Sequence, residues 1–290
     1  MDEAQTLEST KPPLVLPKLI SIGDLFDQAF EIYRARFDTF FAIAGIPVIV
    51  GLVHTVIGFI PNYGTVTTIV LLILSLIITI VSFVLSITYQ IALIYAISQP
   101  ISIYNAYRFA FSKIFPFIWV GILTLFVFIG GATLLYIPGL VFMVWFSLAS
   151  YVFVHEELRG INALKKSKAY LRGYFWPVFG RFFVLGLAFL SISFALGLIV
   201  ALGKVFFGSN IVNYNLMSQI TSQIFIALFM PYVLIYTYLM YRDIALKKSS
   251  LLSLQPAEKK GYIIGFFIFG IIVAVAVVIL LVLLAIVKKS

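Results

Sequence analysis

Residues Tyr136–Arg181 read YIPGLVFMVWFSLASYVFVHEELRGINALKKSKAYLRGYFWPVFGR, and this stretch decides how the rest of the chain is read. The pair Pro138-Gly139 opens it as a tight turn. An apolar run follows and stops at three adjacent ionisable residues, His155, Glu156 and Glu157. A basic segment from Arg159 to Arg172 leads through Gly173 and Pro177 into a second apolar run. Apolar span, charge cluster and apolar span in that order predict a chain that leaves a membrane and re-enters it.

The rest of the sequence agrees. Only 11% of its 290 residues are charged and 62% are hydrophobic, whereas a soluble domain carries roughly 25% charged residues. Seven stretches approach the ~20 apolar residues that a spanning helix needs. They lie near 39–60, 66–98, 115–137, 139–155, 175–204, 217–241 and 262–287. Spans of this length in hydrocarbon must satisfy their own backbone, so the fold class expected is an all-α polytopic bundle with about seven transmembrane helices. Residues 1–20 read as a mobile cytosolic tail and 21–245 as a six-span domain. Residues 246–260 read as a cytosolic linker and 261–290 as an additional C-terminal span.

The net charge of +9 follows the loops. Lys11, Lys18, Arg34 and Arg36 precede the first span. Arg108 and Lys113 lie between the second and third. Arg159, Lys165, Lys166, Lys168, Arg172 and Arg181 lie between the fourth and fifth. Arg242, Lys247, Lys248, Lys259 and Lys260 precede the seventh. Lys204, Lys288 and Lys289 alone fall on the other side. The positive-inside rule therefore predicts a cell-membrane protein with a cytoplasmic N-terminus and, with seven spans, an outside C-terminus. The same charge is expected to meet anionic lipid head groups rather than nucleic acid.

Three cytosolic segments resemble one another: Ser21–Phe30, Ser102–Phe111 and Gly160–Tyr170. In the first, Ile22, Leu25, Phe26, Ala29, Phe30, Tyr33 and Phe37 recur at helical spacing. Each is expected to form a short amphipathic interfacial helix feeding a span, giving three units of interfacial helix plus hairpin.

The candidate interface residues are Arg34, Arg36, Arg108, Lys113, Lys165, Lys166, Arg172 and Arg181. Arg181 lies one turn inside a span, where it can snorkel to head groups or hold an anion. The candidate polar residues are His155, Glu156, Glu157, His54 and Gln90. A His beside two carboxylates has the donor types for a metal or a proton relay, but the same carboxylates also suit pairing with Lys165, Lys166 or Arg172. With no Cys and two His, thiolate sites are excluded and the material for a metal centre is small. No catalytic constellation and no cofactor motif stands out.

Several residues carry a family resemblance. They are Ile137-Pro138-Gly139, Val154, Glu156, Ala163-Leu164, Ser167, Gly173 and Trp176-Pro177-Val178, together with the opening Ile22–Phe30, Tyr33 and Phe37. Over about 20–245 the chain resembles the membrane-domain family of the membrane-anchored glycerophosphoryl diester phosphodiesterases. The resemblance implies a membrane fold. The catalytic barrel of that family's enzymes has no counterpart among the polar segments here. Three functions stay open at this point: a lipid-interacting or scaffolding module, a transporter or lipid permease, and a lipid-phosphate enzyme or its membrane anchor.

Overall fold

A computed structural model describes residues 17–58, 60, 64–134, 136–207, 214–252 and 261–287. The expected tail over 1–16, the linker over 253–260 and the terminal Lys288 and Lys289 lie outside those residues. The described chain is helical, with no strand among these residues. Its helices are α1 (Ile22–Ala35), α2 (Phe37–Gly58), α3 (Thr65–Ser98), α4 (Ile103–Leu134) and α5 (Tyr136–Phe146). They continue with α6 (Ala149–Glu156), α7 (Ile161–Leu171), α8 (Phe175–Phe207), α9 (Tyr214–Leu252) and α10 (Gly261–Val287). Six helical segments among the described residues are long and apolar enough to cross a membrane, with α5 and α6 together forming one of them.

The three mutually similar segments join the helices after them differently. Helix α1 is capped by the Ser21 hydroxyl, which accepts from the Asp24 N–H at 3.1 Å. It breaks at Arg36, whose non-helical φ of −131° ends the helix before α2. The second segment does not break: α4 runs unbroken from Ile103 through Pro116 to Leu134. Helix α7 starts after Gly160 and ends before Gly173, at φ +54° and +87°. Both values favour a residue without Cβ.

Two boundaries differ from the sequence reading. Pro138 and Gly139 lie inside the first turn of α5, not in a turn before it. Proline costs nothing there, because first-turn N–H groups have no intrahelical partner. Gly139 instead allows contact: a Cβ on it would stand 2.8 Å from Ala132 of α4. Helix α9 also continues through 246–252, where a linker was expected. An Asp243–Lys247 ion pair of 2.6 Å at i,i+4 supports that extension.

Burial is concentrated at one end of the bundle. The buried residues of α3 all lie between Thr88 and Ile97, while its first half is open. Helix α6 sits centrally at this closed end, with Tyr151, Val152, Phe153 and Val154 all buried. Helices α3, α4 and α7 pack around it, and α9 joins them through hydrogen bonds at Tyr151 and Glu156. At the other end α8 presents Phe194, Leu198 and Ile199 outward. A bundle can leave such side chains uncovered only where the surrounding medium is as apolar as they are.

Helix α10 packs along α4 through glycine. A Cβ on Gly270 would overlap the Phe126 carbonyl, and one on Gly130 would overlap the Phe266 carbonyl. The two backbones therefore touch directly, the close approach that small residues give helices in hydrocarbon.

Candidate functional site

The charge cluster of the opening stretch forms the centre of the closed end. One carboxylate oxygen of Glu156 accepts two phenols, Tyr170 at 2.8 Å and Tyr241 at 2.9 Å. Its other oxygen lies 3.9 Å from the Lys166 ammonium. Glu156 thus joins α6, α7 and α9. The His155 ring stacks on Tyr241, with centroids 5.7 Å apart and planes within 17°. Tyr238 is 5.2 Å from the same ring. His155 is one ring of an aromatic cluster.

Glu157 turns the other way. It is the left-handed residue ending α6, at φ 55°, and it pairs with Lys113 of α4 at 2.9 Å. That hydrogen bond, followed by the charge of Lys113, holds its carboxyl below the usual carboxylate range. The adjacent carboxylates therefore serve different helices. Among the described residues no three His, Asp or Glu gather as a metal site.

Burial first, then the hydrogen bond to Glu156 and that residue's charge, raise the Tyr170 phenol far above its ordinary range. It is held as a neutral donor. A carboxylate that accepts two phenols on one oxygen and faces an ammonium on the other is suited to fixing helices in place.

Arg181 is where the structure departs most from the interface reading. It is 7% exposed and does not snorkel. Its Nη1 donates to the Pro177 carbonyl at 2.8 Å and its Nη2 to the carbonyl of Ile20. It thereby holds a segment expected to be mobile. Residues 17–20 form a strap over the closed end: the Ile20 N–H donates to Asp243 at 3.0 Å, and the Tyr174 phenol donates to Pro17 at 2.8 Å. Lys247 donates to the Lys18 carbonyl at 2.7 Å, and Leu19 is buried.

Lys248 is the other inward cation, 1% exposed. Its ammonium takes the carbonyl of Ala169 at 2.8 Å and that of Arg172, capping the C-terminus of α7. A cation there satisfies orphan carbonyls and opposes the negative end of the helix dipole. Sequence reasoning counted Lys248 only as a cytosolic charge. It gave no role to Tyr170, Tyr241, Tyr174 or Asp243, and no spacing rule links residues so far apart.

The remaining cations differ in exposure. Arg34, Arg108, Arg159 and Arg172 are exposed, while Arg36, Lys113, Lys165 and Lys166 are half-buried. Arg36 donates to the Gln99 carbonyl at 3.2 Å. The intramembrane polar residues are not brought together with Glu156. His54 of α2 lies 3.5 Å from the Thr79 hydroxyl of α3, and Gln90 is half-buried on α3. Gln223 of α9 donates to Thr55 at 2.8 Å and to the Gly51 carbonyl at 3.2 Å, tying α9 to α2.

Residues 96–253, more than half of the chain, match the family described as Domain of unknown function (DUF8558). The chain belongs to that family. The match begins at the end of α3 and runs through α9, so it takes in Glu156, both of its phenols, Arg181 and Lys248. No curated protein and no solved structure is significantly similar to the chain.

Proposed function

We propose that this DUF8558 chain is a non-catalytic membrane module that gathers anionic lipid around its basic end, which faces the cytoplasm. Helix α10 is taken as the seventh span, which puts the C-terminus outside. One observation carries the reading: exposed cations and exposed aromatic rings share helical faces at the closed end. Arg108, Phe111 and Phe115 recur at i, i+3 and i+7 of α4, with the two rings 52% and 85% exposed. Phe30 precedes Arg34 by one helical turn and is 56% exposed. Arg172 is followed closely by Trp176, which is 74% exposed. Rings of this kind sit at the head-group level and cations meet the phosphates there. The likeness to phosphodiesterase membrane domains fits, since it concerns the membrane part of those proteins.

The full-length protein extracted from mixed phosphatidylcholine and phosphatidylglycerol membranes is expected to retain phosphatidylglycerol above its bulk share by native mass spectrometry. Changing Arg34, Arg108 and Arg159 to Gln should lower that enrichment. Retention at the bulk ratio by the wild type overturns the reading.

A further inference from the structure

A groove of about 500 Å³ runs between α5 and α8. That volume lies within the ~300–1,000 Å³ of ligand pockets. From Phe179 to Leu190 along α8 it is roughly 16 Å long at 1.5 Å per residue. One leaflet of a ~30 Å hydrocarbon core has about that depth. Among the described residues Ser147 is the only polar one in its lining, and its hydroxyl already donates to the Val144 carbonyl at 2.8 Å. Gly186 lies in the wall, and a Cβ there would meet nothing within 4 Å.

The groove's shallow end lies beside α7. The Ser167 hydroxyl donates to the Trp145 carbonyl at 2.7 Å, pinning α7 to α5 just before Ser147. The Lys168 ammonium lies 4.5 Å from the Trp145 ring centroid. Lys165 and Lys168 of α7 and its exposed, extended C-cap Arg172 make a stripe of cations along this segment, while Ala163, Leu164, Ser167 and Leu171 are buried. An apolar slot about one leaflet deep therefore has Lys168 near its shallow end, in the segment that carries the stripe.

We infer that the α5–α8 groove is a binding site for one anionic glycerophospholipid. Its acyl chain fills the slot and its phosphate meets Lys165, Lys168 and Arg172. The inference rests on the lipid-gathering reading but is narrower: it assigns one lipid to one place. An acyl chain already in the bilayer gains little from moving into the slot. Selectivity must therefore come from the cations at the slot's mouth.

The test uses full-length protein extracted from the same mixed membranes. Gly186→Phe fills the slot. Lys165→Gln, Lys168→Gln and Arg172→Gln together remove the stripe. Each variant should lose at least fivefold in the population carrying one tightly held phosphatidylglycerol. If the stripe variant loses it and Gly186→Phe keeps it, the groove assignment is overturned while the broader reading stands. If neither loses it, the site is overturned, and the Arg34, Arg108 and Arg159 variant judges the broader reading separately. A second readout covers failure of Gly186→Phe to fold. In a chain keeping Trp145 alone (Trp119→Phe, Trp176→Phe), phosphatidylglycerol with brominated acyl chains should quench the fluorescence more than brominated phosphatidylcholine at equal mole fraction. Equal quenching overturns the site.

Discussion

The Tyr107 phenol of α4 donates to the Ile43 carbonyl of α2 at 2.7 Å, and Ile43 lies four residues before Pro47. Proline has no N–H, so Pro47 leaves that carbonyl without its helical partner. Tyr107 supplies a donor from the neighbouring helix. Tyr107→Phe should destabilise the protein by roughly 0.5–2 kcal/mol, the range for interhelical bonds in membranes and for orphaned acceptors. Pro47→Ala restores the intrahelical donor, so the cost of Tyr107→Phe should shrink in the double variant. Thermal unfolding in detergent across the four-member cycle measures the coupling.

Glu156 should tolerate loss of charge better than loss of its oxygens. Glu156→Gln keeps an acceptor for Tyr170 and Tyr241 and gives up only the distant Lys166 attraction. Glu156→Ala leaves both phenols without their acceptor and should cost about 1–3 kcal/mol per unsatisfied group. The order of melting temperatures should be wild type, Gln, Ala. Equal melting of the Ala variant and the wild type would show that the carboxylate holds nothing together.

Alkali should attack the same place. Burial and Glu156 raise the Tyr170 phenol's pKa, so the folded state favours its neutral form. The stability this gives is present in full below the unfolded phenol value of about 10 and is lost as pH rises beyond it. A melting curve taken from pH 8 to 12 should fall above about pH 10, and Tyr170→Phe should flatten that fall. An unchanged slope in the variant assigns the alkaline loss to other tyrosines.

The crossing of α4 and α10 should be intolerant of side chains. Gly270→Val would drive a branched side chain into the Phe126 carbonyl. Overpacking against backbone costs typically 1–3 kcal/mol. Cross-linking between cysteines placed at Phe126 and Phe266 reads the separation directly, and the absence of any native cysteine keeps the background clean.

The same absence allows a test of orientation. A single cysteine at Arg172 should react with a membrane-impermeant maleimide in inverted vesicles and be protected in whole cells. Labelling in whole cells would reverse the topology.

Hydropathy made the helical class and six apolar segments long enough to cross a membrane legible, because lipid imposes one-dimensional rules on length and composition. Sequence periodicity gave no warning that α5 and α6 break at Ser147, since both sides of the break are apolar. The closed end was legible only in part. His155, Glu156 and Glu157 stood out by charge density, but the phenols that fix Glu156 are 14 and 85 residues away. Arg181 and Lys248 read as surface charges because a cation at a membrane boundary ordinarily faces head groups. Here backbone carbonyls left open by helix ends and by the strap draw them inward, and no local pattern signals such a partner.

The strap also sets an order on biosynthesis. Ile20 and Asp243 are 223 residues apart. A chain synthesised at about 5–20 residues per second makes Ile20 roughly 11–45 s before its acceptor exists. Until α9 is made, the Ile20 N–H and the Lys18 carbonyl lack Asp243 and Lys247, whereas Arg181 and Tyr174 can already hold the carbonyls of Ile20 and Pro17. The N-terminal segment therefore acts as a latch completed last, when α9 joins the bundle. A nascent chain halted before Asp243 would hold its spans with the closed end still open.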